Sequence, residues 1–233
     1  MVLLPSYVSI VFVLTTFAAV AFLLKSISSL GPPQLPSKIF LVLLPLWIVF
    51  QATLGLGGFY QDQNSIPPTI LVFGVLPALL LIVTYFLLFR SSFIEPMPLG
   101  PLTLLHVVRI PVEIVLYWLF IGGQIPEVMT FEGRNFDILS GILAPIVYLT
   151  ALRRAVPGKG ILIAYNIVGL ILLVNVVAVA VMSLPTPVQQ MAFDQPNRAV
   201  LFFPYVWLPT IIVPIVLFSH LAALWKLAKG HTA

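Results

Sequence analysis

In the stretch Leu105–Gln124, LHVVRIPVEIVLYWLFIGGQ, five residues with polar or charged groups, His106, Arg109, Glu113, Tyr117 and Gln124, interrupt an otherwise apolar run. Twenty helical residues rise about 30 Å, the thickness of a bilayer's hydrocarbon core. The five are spaced by three, four, four and seven positions. At about 100° per residue this places them in one narrow stripe on a helix whose other face is Val, Ile, Leu and Phe. A charge at mid-bilayer costs at least about 2.5 kcal/mol, so the stripe is expected to face protein or water. Arg109 and Glu113, at i and i+4, are expected to pair directly or through water. Pro111 between them leaves the Val107 carbonyl without its helical donor.

The rest of the chain repeats the apolar pattern. Of 233 residues 61% are hydrophobic and 8% charged, against about 25% charged in soluble domains. Apolar length, with breaks at Gly, Pro and charge, puts spans near 3–24, 38–58, 67–89, 103–123, 136–152, 160–183 and 202–225. The connections are short and rich in turn formers, such as Gly31-Pro32-Pro33 and Pro157-Gly158. The expectation is an all-α integral membrane protein, a bundle of about seven transmembrane helices forming a single polytopic domain over 1–233. Met1 to Phe22 carries no charge and the first cation is Lys25, so this segment reads as a retained span and not as a cleaved leader.

Lys and Arg resist translocation and accumulate on the cytoplasmic side. Lys25, Lys38, Arg90, Arg153, Arg154, Lys159, Lys226 and Lys229 fall on one side of this arrangement, Arg134 and Arg198 on the other. Eight against two predicts an amino terminus outside and a carboxyl terminus in the cytoplasm. The membrane is expected to be a plasma or inner membrane. Trp47, Trp118 and Trp207 lie inside spans and are expected to pack or line a cavity, whereas Tyr60, Tyr205 and Trp225 lie near span ends, where amphipathic rings favour the headgroup zone.

The fifth span places Asp137, Ser140, Gly141, Ala144 and Tyr148 on one face, with small residues that permit close helix approach and polar ends that can meet the fourth-span stripe. Asn166 and Asn175 in the sixth span point in opposite directions. His106 and His220 sit at similar depth on different helices, while His231 is in the tail. The candidate ligand or proton site is therefore His106, Arg109, Glu113, Tyr117, Gln124, Asp137, Tyr148 and His220. Glu132, Arg134, Asp194 and Arg198 form a candidate outer rim, with Gly133 free to take φ > 0 so that Glu132 and Arg134 face a common partner.

Several classes drop out. Without cysteine there are no disulfides, thiolate nucleophiles or Cys-ligated metals. The cations are scattered, not striped with aromatics, so nucleic acid is not an expected partner. A retinal Schiff base needs a lysine within the last span, where the cations stand only at its cytoplasmic end. No metal site or cofactor is expected; a haem ligated by His106 and His220 is the alternative. What remains is a small-molecule transporter or receptor-like sensor among membrane lipids. Its rivals are an intramembrane enzyme using Glu113 with His106 or His220 on a lipid-soluble substrate, and a structural assembly protein.

Overall fold

The computed structural model describes residues 4–31, 34–153 and 158–230. Pro32, Pro33, Arg154, Pro157 and His231 lie outside the described residues, which contain helices, turns and no strand. Among the described residues six helices are long and apolar enough to cross a membrane: α1 (Ser6–Ser28), α2 (Leu35–Leu56), α3 (Leu71–Leu88), α4 (Leu99–Ile121), α6 (Lys159–Met182) and α7 (Leu208–Ala228). Between the fourth and fifth of these runs a shorter apolar helix, α5 (Ile138–Leu152). Its fifteen residues rise about 22 Å, less than a full hydrocarbon core.

The bundle has a centre and an edge. In the most apolar part of α7, 67% of residues are buried, and in α4 50%, against 11% in α2. Helix α4 packs on α1, α5 and α7, and α6 packs on α5 and α7. The outward faces are greasy: Leu14, Val42, Leu46, Val49, Leu87, Ile171 and Val174 are all more than half exposed. Water would penalise so continuous an apolar belt, and lipid does not. The exposed hydroxyls agree, since Thr53, Thr84 and Thr150 each donate to the carbonyl four residues back, Val49, Leu80 and Ile146. The fold is that of a multi-pass membrane protein.

Helix α2 buries little, yet two of its side chains fix it. The Thr210 carbonyl lies four residues before Pro214, and the Phe73 carbonyl four residues before Pro77, so neither receives its usual helical N–H. Trp47 Nε1 donates to Thr210 O at 2.9 Å, and Gln51 Nε2 to Phe73 O at 3.0 Å. One turn of α2 thus supplies donors to proline-freed carbonyls on α7 and α3. Trp207 returns the contact, donating from Nε1 to Ile48 O at 3.2 Å. Gly74 sits beside the Thr210 methyl and the Gln51 amide, where a Cβ would meet Thr210 Cγ2 at 2.6 Å.

Two expected placements change. Tyr60 and Tyr205 are not interfacial but almost wholly buried. Tyr60 donates to Gln51 Oε1 at 2.7 Å and Tyr205 Oη shares a hydrogen bond with Ser9 Oγ at 3.0 Å, so each phenol finds its partner inside the protein. Burial pushes the Tyr60 phenol up to about 12, keeping it a donor. Lys226 stands in the last turn of α7, at the end where the sequence puts it, and its buried ammonium donates to Met97 O. The last helix starts at Leu208 because Pro204 and Pro209 keep the preceding segment in turns. Trp225 does sit at a helix end, flanked by Arg90 at 5.7 Å and Lys229 at 5.5 Å from its ring centre.

Gln51→Leu removes the donor to Phe73 O and the acceptor of Tyr60 together, and is expected to cost about 1–3 kcal/mol. Trp47→Phe, which removes one donor and keeps an aromatic ring, is expected to cost about 0.5–2 kcal/mol. Unfolding in mixed micelles titrated with sodium dodecyl sulfate measures both.

Candidate functional site: a buried polar cluster on α4, α5, α6 and α7

Helix α4 is not uniform. It tightens to a 3₁₀ turn at His106–Val108, immediately ahead of the segment that carries Pro111. Helix α5 approaches closest there, because Gly141 presents no side chain: a Cβ would lie 3.2 Å from His106 O and 2.9 Å from Ile110 Cγ1. A glycine is thus required by contact with the α4 backbone. The close approach brings the start of α5 to the polar stripe.

Arg109 Nε lies 3.2 Å from Asp137 Oδ2, with both side chains nearly sealed from solvent. The guanidinium also donates from its two terminal nitrogens to Gly169 O on α6, at 3.3 and 3.4 Å. Arg109 therefore ties α4 to the amino-terminal end of α5 and to the middle of α6. Among the described residues no direct ion pair joins Arg109 to Glu113, so the direct form of the expected i, i+4 pairing does not occur. Glu113 Oε1 instead accepts from Asn135 Nδ2 at 2.6 Å. Asn135 also donates to Met129 O and accepts the Asp137 N–H at 3.0 Å, an Asx turn that delivers Asp137 to Arg109. Two carboxyl groups on different elements thus flank one guanidinium.

One turn below Arg109 the imidazoles of His106 and His220 stack, with ring centres 3.8 Å apart and planes within 14°. His220 Nδ1 and Asn166 Oδ1 are 2.8 Å apart, and Asn166 spends its amide N–H on Leu162 O at 2.8 Å. Asn166 is thus the acceptor, so in neutral His220 the proton is on Nδ1 and the bare nitrogen is Nε2. The two histidines do meet, as their depth suggested, but face to face. Bis-histidine ligation needs the imidazoles on opposite faces of a porphyrin; rings in van der Waals contact leave no space for one between them. As packed, the two rings do not fit the haem alternative. The described residues hold no group of three or more His, Asp or Glu arranged as metal ligands.

Gly169 is the pivot between the two parts. A Cβ there would overlap the His220 ring and lie 3.0 Å from Ser140 Oγ. Tyr165 closes the α6 side by donating to Ser140 O at 2.9 Å. Asn166 faces this interior while Asn175 donates outward to Arg134 O at 2.9 Å, so the two do diverge as their spacing requires.

Other predicted members lie elsewhere. Tyr117 is half-buried against Phe131, ring centres 5.1 Å apart. Gln124 is buried, its side-chain amide donates to Gly122 O, and its backbone carbonyl accepts from Arg198 N and Ala199 N, a loop anchor. Tyr148 sits near the opposite end of α5, with Arg153 5.7 Å from its ring centre. Glu132, Arg134, Asp194 and Arg198 are all exposed, with no ion pair among them. Gly133 does not take φ > 0. It is required because a Cβ there would run into the Glu127 and Val128 backbone.

A cavity of about 100 Å³ borders the cluster. Its polar lining is Arg109, Glu113, Asp137 and Asn197, and the remaining wall is apolar, from Ile70, Leu173 and Ile212 among others. Asn197 reaches it from the segment after α6, held by Nδ2 donating to Ala180 O at 3.2 Å. Asn135, Gly169 and Asn197 were not singled out by the sequence. Only Asn135 leaves a signal there, the Asn-x-Asp spacing of an Asx turn.

These features define a multi-pass membrane protein with ionisable residues enclosed in its helical bundle. Residues 66–228 match the domain of unknown function DUF8737, and the chain belongs to that family. The matched segment contains every residue of the cluster. No curated protein and no solved structure matches the chain.

Replacing one member of the ion pair leaves the other charge buried and alone. Arg109→Gln and Asp137→Asn are each expected to destabilise the protein by about 3–5 kcal/mol, and the double substitution by less than either. Glu113→Gln, which leaves the pair intact, is expected to be milder than both. Melting temperatures of the detergent-solubilised variants test this order.

Proposed function

We propose that the protein binds a small polar or ionic solute at the buried cluster and acts as a transporter or receptor-like sensor. The observation that carries this reading is the convergence of unpaired polar atoms. His106 Nδ1 and Nε2, Glu113 Oε2, Asp137 Oδ1, Ser140 Oγ, Asn197 Oδ1 and His220 Nε2 are buried with no hydrogen-bond partner among the described residues. A purely structural lock has no use for so many unmet groups, each of which costs free energy when buried. Glu113, Asp137 and Asn197 carry three of these atoms and line one cavity with Arg109, which gives those three a common use; His106, Ser140 and His220 lie outside that lining. Charge points the same way. One guanidinium faces two carboxyl groups, so the enclosed set is neutral only with one added proton or one small cation, and an uncompensated charge in a bilayer is costly. The solute is accordingly a proton or monovalent cation, alone or with a small polar partner.

The purified protein is expected to gain thermal stability from a small monovalent cation or from a lowered pH, since whatever binds only the folded state stabilises it. Glu113→Gln removes the surplus carboxylate and should abolish that response. A wild type indifferent to pH and to Li⁺, Na⁺ and K⁺, and indistinguishable in this from Glu113→Gln, would defeat the reading. Flux of the stabilising ion into proteoliposomes then separates transport from sensing.

We further propose that all seven helices cross the membrane with the amino terminus outside and the carboxyl terminus in the cytoplasm. The eight-to-two division of Lys and Arg supports this orientation. Single cysteines near residues 62, 130 and 195, at the exposed positions Asp62, Glu132 and Asp194, are expected to react with impermeant maleimide from outside intact cells, and those near 94, 156 and 230, at the exposed Ser91 and Gly230 for the first and last, only after permeabilisation. The opposite pattern would reverse the topology.

A further inference from the structure

A second cavity, larger than the one beside the polar cluster, differs from it in character. It is a crevice of about 570 Å³ bounded by α2, α3 and α7, with Leu23 of α1 at its floor. That volume lies within the range of sites that enclose small ligands. Phe40, Trp47, Ala78, Tyr85, Ile215 and Phe218 shape it. Its few polar groups are already engaged: Trp47 Nε1 donates to Thr210 O, Tyr85 Oη to Pro36 O at 2.9 Å, and Thr210 Oγ1 to Val206 O at 2.8 Å. The body of any occupant is therefore hydrocarbon. Leu43, Leu46 and Phe50 line the α2 side and are exposed, so the crevice opens sideways, toward what surrounds the bundle. From Phe40 to Phe50 it follows ten residues of α2, about 15 Å.

One end of the crevice is cationic. Lys38 is two residues from Phe40 and Lys25 two residues from Leu23, each about 3 Å of helix rise; Arg90 follows Tyr85 by five residues. All three side chains are exposed. Arg90 also stands over Trp225, and the acid at that end, Glu95, accepts the Trp225 indole N–H at 3.2 Å. A dry apolar slot with exposed cations toward the same end of its helices complements a molecule with a hydrocarbon tail and an anionic head. We propose that the crevice holds one acyl chain of an anionic phospholipid whose phosphate lies against Lys25, Lys38 and Arg90.

The test is native mass spectrometry of the full chain, released from micelles containing equal amounts of phosphatidylglycerol and phosphatidylcholine with identical chains. Phosphatidylglycerol adducts are expected to exceed phosphatidylcholine adducts by about tenfold, given the attraction of basic residues for anionic lipid. Lys38→Ala combined with Arg90→Ala should erase the preference while leaving some retention of both lipids. Ala78→Phe, or Leu44→Trp should the first fail to fold, fills the slot and should remove retention of either lipid at unchanged melting temperature. Equal retention of the two lipids by the wild type would overturn the proposal. So would full retention in a folded slot-filling variant, or a dimer that forms through α2 and excludes lipid.

Discussion

A guanidinium buried among helices needs a counter-charge and a set of acceptors, and Arg109 obtains both from other elements. Asp137 supplies the charge and Gly169 the carbonyl, so α5 and α6 are located relative to α4 by one side chain. The rest of the interior conforms to that requirement. Gly141 lets α5 come near enough to present Asp137. Asn135 shapes the turn before α5 and holds Glu113 at the same time. Gly169 exposes the accepting carbonyl and clears space for the His220 ring. Such a pair contributes little net stability once desolvation is counted, but it penalises any packing in which its members are apart.

The edge of the bundle obeys a different constraint, the need to satisfy backbone groups where water is excluded. Prolines in α3 and α7 release carbonyls from their own helices, and α2 answers with Trp47 and Gln51. The helix with the least buried surface is in this way set in rotation and depth by directional bonds. Packing alone would leave it free to turn, because its Leu and Val residues meet lipid as readily as protein.

The helices were legible because apolar length and period are local properties, and five of the long ones fall within a few residues of where hydropathy puts them. The stripe on α4 was legible for the same reason: His106, Arg109 and Glu113 are all buried, as a face of charge among apolar residues must be. What the sequence could not show is which helices adjoin. Arg109 had a carboxylate one turn away and another twenty-eight residues on, and only the approach of α5 decides for the second. The same ignorance misplaced Tyr60 and Tyr205, whose hydroxyls find partners on neighbouring segments instead of at a headgroup layer. Tyr117 and Tyr148 share a helix face with cluster members, yet the stripe outruns the cluster in both directions.

The proline-freed carbonyls have a consequence for how the chain is made. Trp47 and Gln51 precede Phe73 and Thr210 in sequence, so on a ribosome the donors are synthesised before the acceptors that need them. Each proline-bearing helix is therefore made after the donor that its freed carbonyl takes in the folded protein. The order of translation is thereby matched to the order in which polar debts fall due, and moving α2 to the end of the gene would strand both carbonyls until synthesis was complete.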